Sequence, residues 1–275
     1  LVWQENSRSG IIGRARGDAT DRDLSWLDWS TLPRLADDGR TLIFAEEGDG
    51  GGVDYSVYMR TMDGSPAVRL GSGYGTAISP DGKWVLTVRI NPSPAQFVLL
   101  PTGAGEARVV TNDNLAHELG WFTADGTRIV FVGHAPDRPS RLYIQDLSGG
   151  APKPITAEGV TGAPSPDGKL VAFDGKLYGT DGAAPRPIPW IEPDDRVEAW
   201  ASDSRNLFVR RRLPSGEYQV FRLDAVSGQR TLVHQIARVP GAGPGPWFTI
   251  TPDGSAYFMS YSVAQADLFR VTGLR

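Results

Sequence analysis

Histidine titrates nearest neutrality and is the commonest metal ligand, so the three histidines of this chain are the first place to look for chemistry. His117, His134 and His234 lie far apart, and no two stand at ligand spacing. His117 precedes Glu118 where a strand-like run begins, so the pair could face a common opening; a solvated loop histidine is the ordinary alternative. His134 and His234 read as residues near strand ends. An enzyme on this chain would draw its acid and base from separate segments, and His117, Glu118 and Glu198 are the set it would use. A serine nucleophile on a strained elbow needs Gly-x-Ser-x-Gly, which is absent. Gly71-Ser72-Gly73-Tyr74-Gly75 reads as a flexible connection, since a phosphate loop would open a helix and none follows. No motif implies a cofactor.

Three other clusters carry charge or aromatic surface. Glu47, Asp49 and Asp54 lie in a glycine-rich stretch that could wrap calcium, a hard cation that takes several oxygens. The stretch lacks the ordered spacing of a hand-type loop, so a solvated hairpin is the competing reading. Arg210-Arg211-Arg212 is the one dense basic run; strand alternation sends Arg210 and Arg212 to one face and Arg211 to the other. A solvated outer face is expected there, with an anion patch as the alternative. Among the eight tryptophans, Trp84, Trp121, Trp200 and Trp247 flank turns at repeat-locked positions and are expected to pack, whereas Trp26, Trp29 and Trp190 suit an exposed contact.

The elements that must position these residues come from a repeat. Ala36-Asp37-Asp38-Gly39, Ser79-Pro80-Asp81-Gly82, Thr123-Ala124-Asp125-Gly126, Ser165-Pro166-Asp167-Gly168, Ser202-Asp203-Ser204 and Thr251-Pro252-Asp253-Gly254 recur along the chain. Their aspartates, at 38, 81, 125, 167, 203 and 253, are separated by 43, 44, 42, 36 and 50 residues. Such a period is that of one four-stranded propeller blade. Proline presets φ, aspartate bonds nearby backbone, and glycine accepts positive φ, so each motif is a hairpin turn. Apolar runs such as Ile129-Val130-Phe131 and Leu207-Phe208-Val209 follow the turns and are apolar on both faces, as blade-on-blade stacking requires.

The expected fold is therefore an all-β, six-bladed propeller of four-stranded antiparallel blades spanning 1–275, closed by a strand from residues 1–30. Residues 24–29 are the chosen closing strand, completing a last unit made of 248–250, 256–259 and 267–271. A partial seventh blade is the alternative. Counting back from the turns puts Arg34, Tyr74, Glu118, Arg196 and Glu198 at the mouth of the axial channel, with His117 beside them. Their mixed charges suit a polar ligand or a peptide, and equally suit salt bridges among themselves.

The Ser-Pro-Asp-Gly-Lys turns resemble the WD40-like Pro-Asp repeats of TolB-type propellers. Segment 23–30, Leu99-Leu100-Pro101-Thr102-Gly103 and Arg141-Leu142-Tyr143-Ile144-Gln145-Asp146 also resemble the C-terminal propellers of bacterial eukaryotic-like serine/threonine kinases. That resemblance implies a sensing or binding ring, with an extracytoplasmic setting favoured over a cytoplasmic one. The sequence carries no His-Arg-Asp catalytic loop and no Asp-Phe-Gly, so phosphoryl transfer is excluded from this segment.

Composition narrows the classes. A net charge of −4 with interspersed signs leaves no basic stripe for nucleic acid. Cysteine is absent, which removes disulfides and thiolate chemistry. No apolar run reaches the ~18 residues of a spanning helix, so no membrane insertion by this segment is expected. The chain starts without methionine inside a strand-like run, which suits a piece of something longer. The sequence reading is thus a monomeric, noncatalytic ring that engages a protein or small polar ligand at one face. A hydrolase or lyase with residues at the channel mouth, and a structural scaffold, are the alternatives.

Overall fold

Each blade begins at its turn. In the second blade Gly82 N–H donates to the Ser79 carbonyl at 2.8 Å, and Asp81 Oδ1 accepts from Ser79 Oγ at 2.6 Å and Lys83 N–H at 3.1 Å. Gly82 has φ of +71°, and Gly39, Gly126, Gly168 and Gly254 repeat that conformation. Where the fifth motif lacks glycine, Ser204 takes φ of +54° in its place. Local turn chemistry therefore sets the hairpin that pairs the two innermost strands of every blade.

These hairpins build a ring in the computed structural model, which describes every residue except 1, 6, 53, 64, 244–246, 265 and 270–275; for 2–5 and 266–269 only the backbone is described. Six four-stranded antiparallel sheets form the blades. Their innermost strands are Ser30–Leu35, Tyr74–Ile78, Ala116–Phe122, Ala163–Pro164, Asp195–Trp200 and Phe248–Ile250. Apolar second strands are the reason for stacking: Leu42, Ile43 and Phe44 are fully buried, as are Leu207, Phe208 and Val209, each packing against the blade on either side.

Closure differs from the expected arrangement. The sixth blade takes Phe248–Ile250 and Tyr257–Val263 from the C-terminal end, then Arg8–Arg14 and Arg22–Asp23 from the N-terminal end. The closing strand is thus Arg8–Arg14, paired with Tyr257–Val263 over seven residues, and not 24–29. Gly10 and Gly13 weaken its strand signal in sequence, yet contact demands them. A Cβ at Gly10 would meet the Tyr261 ring at 2.6 Å, and one at Gly13 the Tyr257 carbonyl at 2.1 Å. Ala266–Phe269 leaves the blade and pairs with Val2–Glu5 in a separate two-stranded ribbon; Arg270 and Val271 lie outside the described residues.

Side chains reinforce the seam. The Tyr257 hydroxyl donates to Asp21 at 2.6 Å, the Tyr261 hydroxyl to Asp23 at 2.6 Å, and Arg16 reaches Asp253 at 2.7 Å.

Candidate functional site

Bulges shape the channel mouth. Four inner strands slip register against their partners, between Thr31 and Arg34, Gly75 and Ala77, His117 and Leu119, and Val197 and Ala199. An inserted residue re-aims its side chain away from the ladder. In the third and fifth blades the inserted residues are Glu118 and Glu198, so both acids leave the alternation of their strands.

Glu198 is the hub. Its side chain is only 7% exposed and accepts from Arg210 Nε at 2.7 Å, with Arg196 Nε at 3.7 Å. Arg210 is itself 5% exposed and lies over the rings of Tyr218 and Phe248 at 4.8 and 5.3 Å. Arg196 and Arg210 face each other across the ladder, a like-charge pair that the carboxylate between them reconciles. From the first blade, Arg34 adds its field to Glu198. Burial depresses the Arg34 guanidinium to about 10 against the upward pull of Glu198 and Tyr74, so it stays protonated at neutral pH. Arg34 donates to two backbone oxygens, Thr76 O at 3.2 Å and Pro33 O at 2.9 Å, and forms no ion pair within 4 Å among the described residues. Three guanidinium groups therefore share the field of one glutamate.

Tyr74 borders this cluster. Its hydroxyl donates to the Glu118 backbone carbonyl at 2.9 Å, tying the second blade to the third. Burial, with Glu118 and Tyr55 nearby, pushes the phenol up to about 12. The Glu118 carboxylate accepts from Ser140 Oγ at 2.5 Å and lies 4.0 Å from His134 Nε2. A hydrolytic serine would instead give its proton to the histidine, so this trio lacks the triad arrangement.

Of the predicted mouth residues, the structure brings Arg34, Tyr74, Glu118, Arg196 and Glu198 into contact or mutual field. His117 is the exception and corrects the expectation. Its side chain turns into the interblade core, 1% exposed, with ring centroids 5.0 Å from Phe97 and 4.8 Å from Phe131. Burial lowers its proton affinity, and Nδ1 contacts the Ala95 carbonyl at 3.0 Å. His117, Glu118 and Glu198 accordingly do not converge.

Other expectations fare unevenly. The arginine run alternates as expected but is no solvated face: Arg210 is buried, and Arg211 bridges Glu192 and Asp195 at 2.8 Å each. It lies on the second strand of its blade, where its acids come from the innermost strand and the loop before it. Gly71–Gly75 is a tight corner, not a flexible loop; Gly73 alone joins two strands at φ of +107°. Glu47, Asp49 and Asp54 do not form a group of three or more potential metal ligands among the described residues, and Asp54 accepts from Asn91 Nδ2. Trp200 is buried and Trp26, Trp29 and Trp190 are exposed, as the repeat implies, but Trp247 is also exposed and lies 6.0 Å from Arg34. Arg210 and Trp247 are the mouth residues that reading the sequence missed.

The fold and this mouth define a six-bladed β-propeller. Among solved structures, a protein assigned as TolB from Agrobacterium tumefaciens superposes with a TM-score of 0.63 at 19% identity, over 96% of this chain and 99% of that one. TolB from Acinetobacter baumannii matches with a TM-score of 0.59 at 15% identity, over 83% and 67%. The oligogalacturonate lyase of Vibrio parahaemolyticus matches with 0.54 at 16% identity, over 91% and 77%. No family model and no curated protein matches by sequence. At these identities the likeness is one of fold: the chain has a TolB-like propeller architecture, which a lyase also uses.

Proposed function

We propose that the ring is a noncatalytic binding module that engages a protein or small polar ligand at the channel mouth through an anionic group. One observation carries the reading: Arg196 and Arg210 lie 3.7 and 2.7 Å from the Glu198 carboxylate and Arg34, held on backbone carbonyls, feels its field, so three guanidinium groups stand against that one acid. Arg196 is 62% exposed and so is free to swing onto a ligand. Arg34 is held by backbone carbonyls, which fixes its position before a ligand arrives. A pre-placed guanidinium in a partly desolvated site binds carboxylates strongly and at low ordering cost. On this reading the segments resembling kinase-borne propellers belong to a sensing arm, and the ring would report ligand occupancy to the rest of a larger protein.

The test is a thermal-shift screen of acidic peptides, di- and tricarboxylates and anionic oligosaccharides against matched neutral and cationic compounds. Stabilisation confined to anions, and reduced in Arg196→Gln, is expected. A screen in which anions shift Tm no more than neutral compounds contradicts the proposal.

A further inference from the structure

A second surface, remote from the channel mouth, has the features of a recognition site. Between the outermost strand of the second blade and the turn of the third lies a cleft of about 420 Å³. Its apolar lining includes Trp84, Leu99, Phe122 and Leu147, and its rim carries Asp81, Asp125 and Arg108. The turns of the two blades abut at one end, where Gly126 approaches the Pro80 ring. That volume lies within the range of small-ligand and side-chain pockets.

Charge and backbone distinguish what could fill it. Asp81 has Lys83 at 3.8 Å, and Asp125 feels Arg128, so each rim carboxylate has a cation of its own. Arg108 lies over the Trp84 ring at 4.3 Å and forms no salt bridge among the described residues. The aromatic face holds the guanidinium in place and leaves its edge for an anion. Arg108–Val109 is also the last strand of its sheet, and Val109 is 68% exposed. Val110 N–H bonds inward to the Phe97 carbonyl at 3.0 Å, so by antiparallel alternation the N–H and C=O of Val109 point outward. A small apolar molecule would leave that edge unused, whereas an extended chain would use all three features.

We propose that this cleft binds an extended peptide segment of a partner protein. Its main chain pairs with Val109 as an added strand, an aliphatic or aromatic side chain enters the cleft, and a neighbouring carboxylate meets Arg108. The site is independent of the channel mouth, so failure at one leaves the other standing.

A displayed random heptapeptide library, panned on the intact chain and counter-selected on Arg108→Glu, tests it. Enriched sequences should place Asp or Glu beside Leu, Ile, Val or an aromatic residue. A synthetic winner should perturb the amide signals of Trp84, Val109 and Phe122 in NMR spectra. Its affinity should fall about tenfold or more on Arg108→Glu, as loss of a charge-assisted contact implies, and return when the peptide acid becomes Lys. Val109→Pro gives a second readout, since it removes an outward N–H without touching the ladder and should also weaken binding. No enrichment, binders indifferent to both substitutions, or shifts confined to Arg34 and Glu198 would each overturn the proposal.

Discussion

The Glu198 carboxylate and the Arg210 guanidinium meet at 2.7 Å between the two innermost strands of the fifth blade, both almost wholly excluded from solvent. A buried pair of this kind is costly to break, because the survivor keeps its charge and loses its partner. Glu198→Gln should therefore destabilise the ring by about 3–5 kcal/mol, and Arg210→Met by a similar amount. Replacing both with apolar residues should recover much of the loss. Urea unfolding of the two single variants and of Glu198→Leu/Arg210→Met together checks the relation.

Closure by two strands from each end makes a second expectation. Deleting residues 1–5 removes only the partner of Ala266–Phe269, whereas deleting 1–14 removes the third strand of the sixth blade. The shorter deletion should keep a single cooperative transition, and the longer one should abolish it. Tyr257→Phe and Tyr261→Phe should each cost about 1 kcal/mol by losing a hydrogen bond to the N-terminal segment. Circular dichroism melts distinguish these cases.

Acid should weaken the fold in two windows. Burial holds His117 and His234 below their ordinary value of 6.5, so the unfolded chain takes up those protons first. Their contribution is intact above about pH 6.5 and declines as pH falls below that value. Asp125 is held at about 2 chiefly by hydrogen bonds from Thr123 and Thr127; Asp253 is held there by Thr251 and Ser255 against the opposing effect of burial. Carboxylates lowered in this way stabilise above their unfolded value of 3.8 and lose that effect as pH falls toward 2. A shallow loss near pH 6 followed by a steep one below pH 4 is expected in unfolding free energy against pH. His117→Leu should flatten the first step.

Glycine corners separate strain from collision. A Cβ on Gly73 would approach the Val88 carbonyl to 2.3 Å at φ of +107°, while one on Gly82, at φ of +71°, meets nothing within 4 Å. Gly73→Ala should thus cost about 3 kcal/mol or more, and Gly82→Ala about 1–2 kcal/mol. Differential scanning calorimetry of the pair measures the difference.

The fold was readable because its signal is local. Aspartate, glycine and proline specify the turn by bonds within five residues, so the repeat survives without knowledge of partners. Counting from those turns also singled out Arg34, Tyr74 and Glu198, which share one electrostatic field in the folded ring. His117 escaped this count because the bulge at Glu118 separates adjacent side chains into mouth and core. Arg210 escaped for another reason: its partner lies twelve positions away on the neighbouring strand, and a run of arginines carries no mark of burial. Likewise the closing strand was hidden by Gly10 and Gly13, whose value appears only against Tyr261 and Tyr257.

The most direct test of the channel-mouth proposal is calorimetric titration of the tightest anionic binder into the intact ring and into Arg196→Gln. Arg196 is exposed and lies 3.7 Å from Glu198, so its loss should leave the fold intact. Removal of one charge-assisted contact should weaken binding about tenfold with unchanged Tm. Equal affinity for both proteins would contradict the assignment of the arginine cluster as the binding site.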